Sequence, residues 1–135
     1  MVDVIRVLVV EDDQLVQATV EDSLSEGGFE AVSRASGEDA IALLREDNAT
    51  SQYRAIVTDI NLLGTVDGWE VARVAREIDP TMPVVYMTGT NGDEWPSKGV
   101  PNSVLLKKPF APVQIVTAVA GLLNANPPPD DPENN

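Results

Sequence analysis

The sequence predicts a doubly wound α/β domain, a five-stranded parallel sheet in the order 2-1-3-4-5 with helices on both faces. Three observations carry that prediction. Five short and nearly continuous aliphatic runs recur along the chain, as strands buried on both faces require. Stretches with a helical apolar period separate them. Parallel strands are joined by right-handed crossovers, which leaves few arrangements of five.

The elements follow in order. Val4 to Val10 is the first strand, interrupted by Arg6 and closed by Glu11-Asp12-Asp13. A helix from Asp13 to Glu26 sets Val16, Val20 and Leu24 on one face and is stopped by Gly27-Gly28. Phe29 to Ser33 is a weaker second strand, after which Ser36 caps a helix with Ala40, Ile41 and Leu44 turned inward. Ala55 to Thr58 is the third strand and delivers Asp59 at its end. Asp67-Gly68 opens a third helix with Val71, Val74, Ala75 and Ile78 inward, and Asp79-Pro80 ends it. Pro83 to Met87 is the fourth strand, ending in Thr88-Gly89; Asn102 to Leu106 is the fifth, ending in Lys107-Lys108-Pro109. The last helix runs from Pro112 to Asn124.

Gly89 to Pro101 fits this scheme poorly. It holds three glycines and two prolines and has no helical apolar period, so the fourth helix is expected to be short or irregular, or the stretch mobile. Residues 1–124 then form one domain, and residues 125–135, acidic and proline-rich, form a disordered tail.

Composition narrows the chemistry. With 135 residues the chain supports one ordinary core, and 43% apolar content with few aromatics makes that core aliphatic. The absence of cysteine and histidine removes disulfides, thiol catalysis, His-based triads, the usual zinc ligands and any phosphohistidine supplied by the chain itself. A formal charge of −13 disfavours nucleic acid and anionic membranes and suits a cation or a basic partner. Without a secretory leader or an apolar run long enough to span a bilayer, a soluble cytoplasmic protein is expected.

Functional groups in such sheets gather beyond the carboxyl ends of the strands. The predicted strands bring Glu11, Asp12, Asp13, Asp59, Thr88, Lys107 and Lys108 to that rim. Crowded carboxylates repel unless a cation sits among them, and oxygen ligands beside a phosphate favour Mg2+, with Mn2+ the alternative. A carboxylate so placed can attack phosphorus and form an aspartyl phosphate, while a lysine and a hydroxyl meet the phosphoryl oxygens. Lys108 is the better candidate lysine, because its neighbour Lys107 points the opposite way along the strand. Asp13 reads as a helix cap, and Asp93 and Glu94 as surface charges.

Val9-Val10-Glu11-Asp12-Asp13, Thr58-Asp59-Ile60-Asn61-Leu62, Met87-Thr88-Gly89 and Lys107-Lys108-Pro109-Phe110 resemble, in order and spacing, the receiver domain of two-component response regulators, a flavodoxin-like fold. The resemblance covers residues 4 to 124. It implies that Asp59 is the phosphoacceptor, that Glu11 and Asp12 are the acidic pair, and that Asn61 offers its backbone carbonyl to the metal. Thr88 would be the switch hydroxyl and Lys108 the phosphate-binding lysine, turned into the site by a cis Lys108–Pro109 bond. It also implies a phosphohistidine donor on a histidine kinase or histidine phosphotransferase, self-catalysed phosphorylation and dephosphorylation, and a downstream protein partner. The chain has Leu105 where many receivers carry Tyr or Phe, so the aromatic half of their switch is missing. With the weak fourth helix and Tyr86-Met87-Thr88-Gly89, it loosely resembles the subgroup paired with HWE-type histidine kinases.

A stand-alone regulator is therefore expected, in which Thr88 moves toward the phosphoryl group and orders Gly89 to Pro101. The apolar surplus of the last helix (Val113, Val116, Leu122 and Leu123 among others) suggests a monomer or a weak homodimer through that helix, against simple core packing. Trp95 is read as either a partner contact or an aromatic folded over apolar surface. The competing functions are a haloacid-dehalogenase-like aspartyl-phosphate hydrolase, opposed by Asn61 where those enzymes place an acid, and a receiver-like binding module that is never phosphorylated. A dinucleotide site is weaker, since no glycine-rich turn follows the first strand.

Overall fold

The structure, a computed structural model, describes residues 4–46, 52–90 and 92–125. Strands β1 (Ile5–Val10), β2 (Phe29–Arg34), β3 (Tyr53–Asp59), β4 (Val84–Thr88) and β5 (Val104–Lys107) pair in parallel in the order β2-β1-β3-β4-β5. Helices α1 (Gln14–Glu26), α2 (Gly37–Leu44), α3 (Gly68–Ile78), α4 (Trp95–Lys98) and α5 (Pro112–Ala125) form the two outer layers. None of the described helices is long and apolar enough to cross a membrane.

Strand alternation divides the core in two. Leu8, Val10, Ile56, Val84 and Tyr86 face one side, where Ala40 and Leu44 of α2 and Val71, Ala72 and Ala75 of α3 meet them. Val7, Val9, Ala55, Val57, Val85 and Met87 face the other side, covered by Val20 and Leu24 of α1 and Ile115 and Val119 of α5. Both faces of the central strands are dry, which accounts for their unbroken apolar runs. Each such aliphatic side chain contributes roughly 1.5–3 kcal/mol by leaving water.

The helix starts lie where side-chain caps allow them. The Asp13 carboxylate accepts from the Leu15 and Val16 N–H groups at 2.9 and 3.3 Å. Ser36 Oγ accepts from Asp39 N–H at 3.1 Å, and Asp67 from Glu70 N–H at 3.0 Å. β3 is longer than the expected Ala55 to Thr58, because Tyr53 and Asp59 keep register with Arg6 of β1 and Met87 of β4.

Ile78 departs from expectation. It is 41% exposed, as the last residue of α3 before the Asp79-Pro80 break, while Ala72 and Trp69 fill the inward face. The stretch after β4 holds a 3₁₀ turn (Gly92–Glu94) and the single turn of α4, so the fourth helix is short as expected. Trp95 folds back onto the core, and its Nε1–H donates to Ser103 Oγ at 2.9 Å. The surplus of α5 is largely taken up by packing: Leu122 and Leu123 are half-buried against the core and Val116 abuts Gly27, which leaves Val113 at 66% exposure. The expected tail, apart from Ala125 at the end of α5, lies outside the described residues.

Candidate functional site

The site lies at the carboxyl ends of β1 and β3, where the strand order reverses. β1 runs straight into Glu11, whose N–H donates to Arg34 O of β2 at 3.1 Å, so the acidic turn starts from a paired backbone. Glu11 is almost fully buried, and so is Asp59 at the end of β3. One carboxylate oxygen from each of Glu11, Asp12 and Asp59 lies within 4.8 Å of the other two. Of the four carboxylates expected at the rim, Glu11, Asp12 and Asp59 stand together, and Asp13 caps α1.

Lys108 supplies the cationic side chain of the group. Its Nζ donates to Glu11 Oε1 at 2.8 Å and to Asp59 Oδ2 at 3.1 Å. Its backbone N–H donates to Thr88 O at 2.7 Å, and the following peptide bond to Pro109 is cis. Lys107 is exposed.

The electrostatics follow from burial and crowding. Burial first and the Asp59 charge second raise the Glu11 carboxyl, the Lys108 and Asp13 N–H bonds lower it, and together they leave it at about 7. Burial works against the Lys108 ammonium, but Glu11 and Asp59 outweigh it and hold its pKa above the ordinary 10.5. An all-oxygen set of three carboxylates with one raised pKa is the donor chemistry a hard divalent cation fits.

The remaining expected residues frame this group. Thr88 is buried at the end of β4, one residue past the Asp59–Met87 register pair, and its Oγ1 accepts from Thr90 N–H at 3.2 Å. Asn61 stands in the loop after β3, and its side-chain amide reaches Thr90 Oγ1 at 3.4 Å. Two residues on, Leu63 N–H donates to Asp12 Oδ2 at 2.9 Å.

Other supports had no motif to announce them. Gln17 Nε2–H donates to Glu11 O at 3.1 Å from one turn into α1. Gly68 allows α3 to start against the end of β3: a Cβ there would stand 2.1 Å from Asp59 O, and Gly68 N–H donates to Ile60 O at 2.8 Å. Tyr86 is buried beneath Thr88 on the same face of β4, with its ring 4.8 Å from that of Trp69, and its hydroxyl accepts from Val100 N–H at 3.1 Å. The helical opening at Asp67-Gly68 was visible in sequence, but the close approach to Asp59 depends on a tertiary fit.

Fold and site define a receiver-type architecture, and comparison with known proteins names the family. A model of the response regulator receiver domain matches residues 7–120, so the chain belongs to that family and to two-component signalling. A solved response regulator receiver protein from Sinorhizobium medicae WSM419 is 42% identical, with a TM-score of 0.88 over 93% of this chain and 98% of that one. Chemotaxis response regulator CheY4 of Vibrio cholerae, 23% identical with a TM-score of 0.76 over 90% of this chain and all of that one (100%), shares the fold. Among curated relatives, transcriptional regulatory protein AfsQ1 of Streptomyces coelicolor is 38% identical over 86 residues, 64% of this chain. Response regulator MprA of Mycobacterium avium is 28% identical over 131 residues, 96% of this chain. The chain spans 36% and 55% of the lengths of those two proteins.

Proposed function

We propose that residues 1–124 form a phosphoacceptor domain in which Asp59 takes a phosphoryl group from a phosphohistidine on a histidine kinase or histidine phosphotransferase. The observation that carries this reading is Lys108 Nζ bonded to both Glu11 and Asp59 inside a three-carboxylate group. An oxygen of Asp59 attacks phosphorus, a P–O bond forms, and the P–N bond breaks with its electron pair leaving on the imidazole. Lys108, already within bonding distance of Asp59, meets the phosphoryl oxygens, and Thr88 donates its hydroxyl proton to one of them. Glu11, Asp12, Asp59 and the Asn61 carbonyl would hold Mg2+ or Mn2+, which when bound neutralises charge on the carboxylates and the phosphoryl group.

The donor's approach is suggested by surface chemistry. Leu15, 81% exposed, lines a hollow of about 380 Å³ with Val16, Thr19, Lys108, Pro109 and Phe110. An apolar surface directly beside the acid group suits a partner that must bring its phosphohistidine to Asp59. The response is carried along β4. Thr88 and Tyr86 are two residues apart on one face, so displacement of Thr88 toward the phosphoryl group is felt at Tyr86 and, through its hydroxyl, at Val100. No aromatic swing at Leu105 is needed; that side chain is half-buried against the same cluster.

Incubation with acetyl phosphate and Mg2+ followed by intact mass measurement tests the reading. One added phosphoryl group is expected, lost with EDTA and in Asp59→Asn. An unlabelled wild type, or an Asp59→Asn protein that still labels, contradicts it.

A further inference from the structure

The loop that leaves Asp59 is held from outside the site by a residue in no catalytic motif. Glu38 lies in the first turn of α2. Its Oε2 accepts from Thr65 N–H at 3.1 Å and from Thr65 Oγ1–H at 3.3 Å. Gly64 has a φ of +96°, a backbone conformation that favours glycine. A Cβ at Gly64 would stand 2.6 Å from Glu38 Oε2, so the backbone there is shaped around the carboxylate. Beside it, a Cβ at Gly37 would stand 2.7 Å from Val66 Cγ1 and 2.8 Å from Val66 O. The first turn of α2 is therefore closed on residues 64–66.

What this closure positions is one residue away. Leu63 N–H is the group that donates to Asp12 Oδ2, and Asn61 lies two residues before it. Between Asp59 and Gly68 the loop is anchored on the site side through Leu63 and Asn61, and away from it through Thr65. The hydrogen bonds from Thr65 hold the Glu38 carboxyl below its ordinary pKa, so the acceptor stays charged at neutral pH.

We infer that Glu38 is a positioning residue for the cation-holding side of the site: by fixing Gly64 and Thr65 it aims the Leu63 N–H at Asp12 and sets where the Asp12 carboxylate stands. The inference rests on the phosphoacceptor reading of Asp59. Partners of this outer kind orient ligands and tune metal affinity without touching the ion.

Three proteins test it: wild type, Glu38→Ala and Glu38→Gln. Amide hydrogen exchange at Leu63 is measured without metal, with Val57 in the core of β3 as the reference for global opening, and Mg2+ is titrated by NMR. In Glu38→Ala, Leu63 exchange should accelerate and the Mg2+ Kd should rise, each about fivefold, the worth of one exposed hydrogen-bonded contact. Val57 should not change. Glu38→Gln keeps an oxygen that accepts the same Thr65 bonds and should stay within about twofold of wild type. Leu63 exchange and Mg2+ affinity unaltered in Glu38→Ala would overturn the inference. So would equal losses in Ala and Gln, which would assign the effect to through-space charge. Wild-type labelling by acetyl phosphate is run alongside. Its failure counts against Asp59 as acceptor, whereas an unmoved Leu63 in a protein that labels counts against Glu38 alone.

Discussion

Two connections flank Asp59, and they are held by different means. Residues 60–67, leaving β3, are tied by polar bonds to three elements: Leu63 to Asp12 after β1, Thr65 to Glu38 of α2, and Ile60 to the N-terminus of α3. Residues 92–103, leaving β4, are held chiefly by aromatic side chains. Tyr86 reaches up from the core to Val100, and Trp95 lies over Gly99, where a Cβ would stand 2.3 Å from its ring, and bonds Ser103. Ser103 Oγ–H in turn donates to Val100 O at 2.6 Å, closing the latch. The first arrangement fixes carboxylates around a point. The second hangs a four-residue helix on the buried Tyr86 hydroxyl and the Trp95–Ser103 bond, with Tyr86 two residues before Thr88 on β4. A connection built in this second way can shift without unfolding the first.

The largest expected effect comes from removing the post of that latch. Tyr86→Ala deletes a fully buried ring packed on Trp69 and should cost about 4 kcal/mol in urea unfolding. Gly68→Ala attacks the opposite side. Its Cβ would fall 2.1 Å from Asp59 O, so backbone must move, at about 3 kcal/mol, and acetyl phosphate labelling should slow about 100-fold as Asp59 is displaced. Both variants being as stable as wild type would remove the physical basis of the comparison.

Tyr86→Phe keeps the ring and removes the hydroxyl. It should cost about 1 kcal/mol and speed amide exchange at Val100 while leaving Leu63 unaffected. Equal acceleration at Leu63 would mean that the two connections are one cooperative unit.

The smallest effects are those of pH, and they have opposite senses. The folded pKa of Glu38 is below its ordinary 4.5, so its contribution is fully present above 4.5 and is lost as pH falls through the lowered value. Burial raises Tyr86 above its ordinary 10.0. The unfolded chain then ionises first, and stability declines as pH rises through 10.0. Exchange at Leu63 and Thr65 should therefore respond to acid, and exchange at Val100 to alkali.

The same two regions show what the sequence could and could not disclose. Sheet order, helix starts and the positions of Glu11, Asp12, Asp59, Thr88 and Lys108 were legible, because buried parallel strands leave continuous aliphatic runs and their ends define the rim. The caps at Asp13, Ser36 and Asp67 were legible for a local reason: a short polar side chain satisfies N–H groups two or three residues on. Glu38 was not, because its partner lies across a tertiary contact and an acid in a first helical turn is ordinary. Tyr86 read as one more strand residue, since nothing local shows where a hydroxyl finds its donor. Ile78 fitted the helical period but lies where α3 passes the edge of the core, a limit that periodicity cannot mark.

The central claim is that Asp59 carries the phosphoryl group. After incubation with acetyl phosphate and Mg2+, borohydride reduction of an aspartyl phosphate leaves homoserine, which peptide mass spectrometry can locate. Homoserine at position 59 is the expected result. Homoserine at Asp12 or Asp13, or at no position in a protein that has gained phosphate, would contradict the account.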